Sequence, residues 1–187
     1  KFNVIGTGLM GQEHMITTVL EGRGTINGIY DTNSLSIEIA KARYYREFPD
    51  KDLKEFDSLE KVCNDPEADG LIICTPNYTH LEILQTAIRS KKHILLEKPM
   101  ATTVHDAYEI LQLSKNYPAI FQIGLQYRFK ANYVESIHEI LHRKSIGEVK
   151  MIHILENRIP FLDKVNQWNK FEKYSGGTLV EKCCHYF

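Results

Sequence analysis

Six residues near the start of the chain restrict its fold more than any other feature: Gly6-Thr7-Gly8-Leu9-Met10-Gly11. An apolar run, Phe2 to Ile5, precedes them, and from Gln12 to Arg23 the residues Met15, Ile16, Val19 and Leu20 recur with helical period. A strand feeding a helix through three glycines opens a βαβ unit. The first glycine permits the tight turn, the second lets backbone N–H groups approach a pyrophosphate, and the third allows close helix–strand packing, with the helix N-terminus facing the negative charge. Asp31 lies 20 residues beyond Gly11, closing a second apolar run from Ile26 to Tyr30. Its carboxylate is placed to accept the adenosine ribose hydroxyls and would repel a 2′-phosphate. Gly6, Gly8, Leu9, Met10, Gly11 and Asp31 therefore read as a dinucleotide site that favours NAD over NADP.

Apolar runs and helical stretches keep alternating downstream. A helix is expected over Ser34 to Phe48 and a short one over Ser58 to Asn64. A buried strand, Leu71 to Cys74, ends at a Thr75-Pro76-Asn77 turn, and His80 to Ser90 is helical again. Strand His93 to Glu97 stops at Pro99. Thr103, with Asp106 three residues on, half-builds a capping box for a helix to about Asn116. Ala119 to Gly124 is another strand. The reading is six strands with helical crossovers, five of them placed by these runs, which suffices for a doubly wound parallel α/β sheet over residues 1–124. After residue 124 the pattern changes. A helix from Asn132 to Lys144 leads to an eleven-residue strand candidate, Glu148 to Arg158, which cannot make a sheet alone. Residues 125–187 thus read as the start of a second, incomplete domain.

Composition excludes several classes. Twenty-three Lys and Arg against 24 Asp and Glu leave a net charge of −1, so no overall field calls for nucleic acid or an anionic membrane. The longest apolar runs are far short of the ~20 residues of a membrane span, and Lys1 to Ile5 shows no charged leader or cleavage site. Cys63, Cys74, Cys183 and Cys184 lack CxxC spacing, as expected of reduced thiols. A cytoplasmic protein is expected.

Glu97-Lys98 closes a strand on the edge where doubly wound sheets bind ligands, and a lysine there can reach a nicotinamide and its substrate. By itself the dipeptide equally suits a solvated strand end. Its company is more specific. GTGLMG from Gly6, TPNYTH from Thr75 to His80, LLEKPMATT from Leu95 to Thr103, YRF at Tyr127 and SGGTLVEKCCH ending at His185 lie in an order and spacing that resembles the Gfo/Idh/MocA oxidoreductase family across essentially the whole chain.

The resemblance implies an NAD(P)-dependent dehydrogenase or reductase acting on a sugar, cyclitol or related polyol. It also implies a Rossmann domain followed by an α+β open-sheet substrate domain through which homo-oligomers form. Lys98 then lies at the nicotinamide and the reacting hydroxyl, and His185 falls on the histidine that accepts or donates the proton. Glu181 stands where the family has aspartate, one methylene longer, so its role stays open. Four residues beyond it on a helix, His185 could have its imidazole tautomer fixed by that carboxylate. The chemistry suits these types, since oxidising an alcohol needs a base for the proton while the hydride leaves, and an ammonium for the developing alkoxide. Thr75, Pro76, Asn77 and His80 align with a segment lining the nicotinamide side, although the same residues make an ordinary turn entering a helix.

Gln126 and Arg128 follow a strand and are expected to face the cofactor cleft, with Tyr127 toward the core. Arg158 and the sole tryptophan, Trp168, are substrate or cofactor contacts, or in the latter case a packing anchor. Lys182, three residues before His185, either shares the pocket or is solvated. No metal site is expected. His138-Glu139-Ile140-Leu141-His142 matches the zinc-protease HExxH pattern, but the downstream ligand places hold Ser145 and Glu148, and Val134, Ile137, Ile140 and Leu141 form an ordinary apolar stripe. A second alternative is an NAD-binding sensor of the same family without turnover, for which the Glu181 substitution speaks. Substrate identity and reaction direction are not encoded in these motifs. Relatives in the family are about twice this length, so a complete nucleotide domain and roughly the first third of a substrate domain are expected.

Overall fold

The computed structural model describes residues 1–157 and 162–186. Within them six parallel strands form one sheet: β1 (Phe2–Ile5), β2 (Ile26–Tyr30), β3 (Lys54–Glu55), β4 (Gly70–Ile73), β5 (His93–Glu97) and β6 (Phe121–Gly124). Their spatial order is β3-β2-β1-β4-β5-β6. Helices α1 (Leu9–Leu20), α2 (Ser34–Glu47), α3 (Leu59–Asn64), α4 (His80–Ala87) and α5 (Val104–Ser114) supply the crossovers. The strand that no apolar run marks is β3, two exposed charged residues on the sheet edge paired to Gly28 and Ile29. Charge on a short edge strand discourages pairing with another chain.

Alternation along the strands builds a core on each face. Leu71 and Ile73 of β4 join Ile5, Ile94, Leu96, Leu84 and Ile110 on one side. Ile72, between them, joins Val4, Ile29, Met15, Ala40 and Tyr44 on the other. All four residues of β4 are buried, as a central parallel strand covered on both faces requires. Each such side chain contributes about 1.5–3 kcal/mol relative to exposure.

The expected capping pair is present: Thr103 Oγ1 accepts the Asp106 N–H at 3.0 Å and starts α5. Helix α1 begins three residues earlier than the apolar period indicated, because Gly8 itself is its N-cap.

After β6 the chain forms a 3₁₀ turn (Gln126–Phe129), α6 (Ala131–Ile137), a π-helical turn (His138–His142), a second 3₁₀ segment (Val165–Lys170), α7 (Glu172–Ser175) and α8 (Gly177–Glu181). Of the strand expected over Glu148 to Arg158, Arg158 lies outside the described residues and the rest forms no strand. Residues 148–157 have no regular structure, and Met151, Ile152 and Leu155 are exposed. Among the described residues no strand follows Gly124, so that backbone has nothing to pair with. No helix among the described residues is long and apolar enough to cross a membrane.

The strand order reverses direction at β1 and β4, and ligands bind such sheets outside the carboxyl ends at that point. Parallel register aligns those ends: Ile5 opposes both Tyr30 and Ile73, and Ile73 opposes Leu96. The next residues of each strand, Gly6, Asp31, Cys74 and Lys98, therefore open onto one crevice.

Candidate active site

The three glycines of the first turn are fixed by three different constraints. Gly6 has φ +92°, and a Cβ there would lie 2.7 Å from backbone atoms of Cys74 and Thr75. A Cβ on Gly11 would lie 2.0 Å from the Gly6 carbonyl oxygen, so only glycine lets α1 sit against β1. At Gly8 a Cβ would meet nothing within 4 Å. Gly8 caps α1 without a side-chain acceptor and without acid in the first turn, so the helix presents bare N–H groups to the crevice.

Asp31 ties this turn to β2. Its Oδ2 accepts the Thr7 N–H at 2.7 Å and the Thr7 hydroxyl at 3.0 Å, while Oδ1 accepts the Asn33 N–H at 2.9 Å. Thr7 is fully buried. Asp31 also lines the crevice, and its Oδ1, which accepts a single bond, retains acceptor capacity for a ribose hydroxyl.

The crevice is a single cleft of about 1080 Å³. Of the sequence-predicted residues it collects Gly6, Gly8, Leu9, Met10 and Asp31 from the β1 and β2 ends, and Thr75, Pro76 and Asn77 from the β4 end. Glu97, Lys98, Trp168 and Glu181 complete the set. Asn77 is the most telling of them. It is 6% exposed, and its Nδ2 has no hydrogen-bond partner although it lines the cleft. A buried amide donor left open costs roughly 1–3 kcal/mol, which a carboxamide or hydroxyl of a bound molecule would offset. The open Gly8, the bare α1 terminus and this orphaned donor fit a dinucleotide.

Glu97 is nearly enclosed. Its Oε1 lies 2.7 Å from His14 Nε2, and its Oε2 accepts the Lys98 N–H at 3.1 Å. Its carboxylate therefore holds the β5 end as well as facing the cleft. Lys98 Nζ donates to the Glu181 carbonyl oxygen at 3.1 Å. Burial pulls the Lys98 ammonium below the ordinary lysine range. Cys74 forms part of the floor, and burial pushes its thiol up, so it stays neutral.

The far wall comes from the last described segment. Glu181 is 3% exposed and its Oε1 accepts from Lys182 Nζ at 3.1 Å. Trp168 packs edge-on to Tyr78 at 6.3 Å and carries Lys164 Nζ 4.6 Å above its ring. Trp168 is thus both a packing anchor and a cleft residue.

Several expected site residues lie elsewhere. Gly11 is buried beneath Gly6, as its packing role demands. His80 is 1% exposed and clamps backbone: Nδ1 lies 3.0 Å from the Pro99 oxygen and Nε2 3.1 Å from the Thr75 oxygen. It joins two cleft loops from behind and does not line the cleft. Gln126 and Arg128 do not face the cleft either. The 3₁₀ turn after edge strand β6 sends successive side chains about 120° apart, and only Tyr127 turns inward, stacking on His185 at 4.0 Å. Gln126 is exposed, and Arg128 borders a shallow hollow with Val134, Ile137, His138 and His142.

His185 is buried and is not among the described residues lining the cleft. Its expected helical relation to Glu181 is absent, because α8 stops at Glu181 and Cys183–His185 is a 3₁₀ turn. Arg158 lies outside the described residues. In the HExxH segment Glu139 bonds Arg143 at 2.7 Å and Ser145 at 2.6 Å.

Two cleft contributors carried no sequence signal. His14 sits on the inner side of α1, reaching Glu97 across 83 residues of chain. Lys164 is one of many lysines, and only the fold brings it into the cleft.

Residues 1–125 match a family model described as the oxidoreductase family NAD-binding Rossmann fold, and residues 138–187 match that family's C-terminal alpha/beta domain. The chain is 24% identical over 154 residues to an inositol 2-dehydrogenase of Salmonella typhimurium, covering 82% of this chain and 44% of the relative. It is 31% identical over 152 residues to an inositol 2-dehydrogenase of Paracoccus denitrificans, covering 80% and 42%. A solved NAD-binding protein from Listeria innocua superposes with a TM-score of 0.76 at 26% identity, covering 98% of this chain and 51% of that one. The chain thus spans less than half the length of these curated relatives.

Proposed function

Because the chain belongs to the Gfo/Idh/MocA oxidoreductase family, we propose that it is an NAD-dependent dehydrogenase or reductase that acts on a CH–OH group of a sugar, cyclitol or related polyol. The observation that carries this reading is that the open N-terminus of α1 at Gly8 and the ammonium of Lys98 line one cleft. In this reading residues 1–124 form the cofactor domain and residues 125–187 the first part of a substrate domain, through which copies associate, in a cytoplasmic protein.

The α1 N–H groups and the space at Gly8 hold the pyrophosphate, Asp31 the adenosine ribose, and Asn77 the far end of the dinucleotide. Asp31 supports NAD over NADP, since a 2′-phosphate there would meet its carboxylate. The bound nicotinamide supplies the hydride acceptor or donor. Lys98 holds the reacting hydroxyl and stabilises the charge that builds on its oxygen. In this reading His185, which falls on the family's proton-transferring histidine, accepts or donates the proton. That NAD and a polyol yield reduced nicotinamide is tested by absorbance, with Lys98→Met and His185→Asn each expected to lower turnover at least tenfold while NAD still binds.

One observation favours a second reading, a cofactor-binding sensor. His185 is stacked on Tyr127 outside the cleft lining. NAD binding without turnover across a polyol panel would support it.

A further inference from the structure

The Glu97 carboxylate is a buried charge at the carboxyl end of β5, with its side chain 7% exposed. Such a group is costly unless donors satisfy its oxygens. Among the described residues two do so: His14 Nε2 lies 2.7 Å from Oε1, and the Lys98 N–H donates to Oε2 at 3.1 Å. A carboxylate accepts and does not donate, so the His14 ring presents an Nε2–H to it. The third side is closed by β6. Gly124 opposes Glu97 in register, and a Cβ there would stand 3.0 Å from Oε1, so even a methyl group would press on the carboxylate. Glu97 is thereby confined between α1, β6 and the backbone of the residue that follows it.

That following residue is Lys98, which lines the cleft together with Glu97, whereas His14 is not among the described residues lining it. His14 therefore reaches the site through the carboxylate. The carboxylate holds the backbone from which the Lys98 side chain extends. Burial pulls the Lys98 ammonium down, and the charge of Glu97 is one of those that oppose the pull. Helix α1 is also the element whose open N-terminus at Gly8 faces the cleft, six residues before His14. One helix thus carries the terminus proposed for pyrophosphate and the donor that fixes Glu97, and that bond ties it to the end of β5 across 83 residues of chain.

We propose that His14 is a positioning residue: by holding the Glu97 carboxylate it fixes the backbone at Lys98, and so the place of the Lys98 ammonium relative to the helix that receives the cofactor. For what Lys98 does this rests on the oxidoreductase reading above, and it adds a residue that no motif in the chain announces.

The test compares His14→Phe, which keeps a ring and loses the donor, with His14→Gln, whose amide nitrogen places a donor near the position of Nε2. Amide hydrogen exchange is followed by NMR at Lys98, with the Ile94 amide, bonded to the Ile120 carbonyl at 2.8 Å, as the control for the intact sheet. In His14→Phe the Lys98 amide is expected to exchange about tenfold faster or more while Ile94 changes little, a local opening at one strand end. Turnover at saturating NAD and polyol is expected to fall at least about tenfold with NAD affinity kept, the signature of a misplaced reacting group. His14→Gln is expected to stay near wild type in both. Should His14→Phe not fold, His14→Asn replaces it, an amide too short to reach Glu97 and expected to behave as the phenylalanine variant. Unchanged exchange at Lys98, equal acceleration at Ile94, or a His14→Gln protein no better than His14→Phe would overturn the proposal. The exchange measurement needs neither cofactor nor substrate, so it decides on His14 even where absent turnover in the wild type has removed the oxidoreductase reading.

Discussion

The Lys98 ammonium donates to the carbonyl oxygen of Glu181 across 3.1 Å, joining the end of β5 to a segment 83 residues later. The residue proposed to handle the reacting hydroxyl therefore also ties the two walls of the cleft. Its burial lowers its affinity for a proton from the ordinary lysine value of 10.5. If the ammonium is the active form, turnover falls as pH rises through that lowered value, so the alkaline limb of the kcat profile lies below pH 10.5. Lys98→Arg is expected to lose at least tenfold in kcat and to lose this limb. An unchanged limb in the arginine variant would assign it to another group.

Gly6 and Gly8 respond oppositely to alanine. Gly6→Ala forces a Cβ against the Cys74 and Thr75 backbone at positive φ and is expected to cost about 2–4 kcal/mol of stability. Gly8→Ala has room and an ordinary φ of −64°, so folding should change by less than about 1 kcal/mol. Its methyl enters the space proposed for pyrophosphate, and NAD affinity is expected to drop tenfold or more. Denaturant melts and calorimetric titration measure the two effects separately. Full NAD affinity in Gly8→Ala would remove the pyrophosphate from this turn.

Asp31 holds the turn and is proposed to hold the adenosine ribose as well, and its substitution should display both. Asp31→Ala removes three acceptor contacts to Thr7 and Asn33, so the melting temperature falls along with NAD affinity. The loss of affinity is expected at about 1.5–3 kcal/mol, the worth of a hydrogen bond to a charged group. A lower melting temperature with unaltered NAD affinity would make Asp31 a turn residue alone.

His80 supports the cleft from behind. Burial lowers its proton affinity against the pull of the Thr75, Met100 and Pro99 carbonyls. Its folded pKa lies below the unfolded value near 6.5, so in that window the unfolded chain binds more protons and stability falls as pH drops. His80→Gln should flatten this acid dependence of the melting temperature, and His80→Ala should cost about 2–4 kcal/mol at neutral pH. An identical pH slope in wild type and His80→Gln would show that other groups set it.

Chemistry dictated by local chain order was legible in the sequence. The glycine turn, the Thr103 cap and the buried strand around Leu71 to Ile73 each depend on residues close together, and each is found. What depended on distant partners was not. Strand β3 has no apolar signature because it is held by backbone bonds to β2 and by the ion pairs of Lys54 with Glu67 and of Glu55 with Lys41. The apolar residues near Ile152 pattern as a strand but have no strand to pair with among the described residues. His80 sits in a motif that fits a cofactor contact as well as a clamp, and only the nearby Pro99 and Thr75 carbonyls decide its place. Lys164 reaches the cleft through a strained turn that no local pattern announces.

The most direct test is reduced-nicotinamide absorbance with NAD and a panel of polyols, run in parallel on the wild-type protein and on Lys98→Met. The expected result is substrate-dependent absorbance growth in the wild type, reduced at least tenfold in the variant while NAD binding persists. Absorbance growth of equal rate in both proteins would contradict the assignment of the chemistry to this cleft.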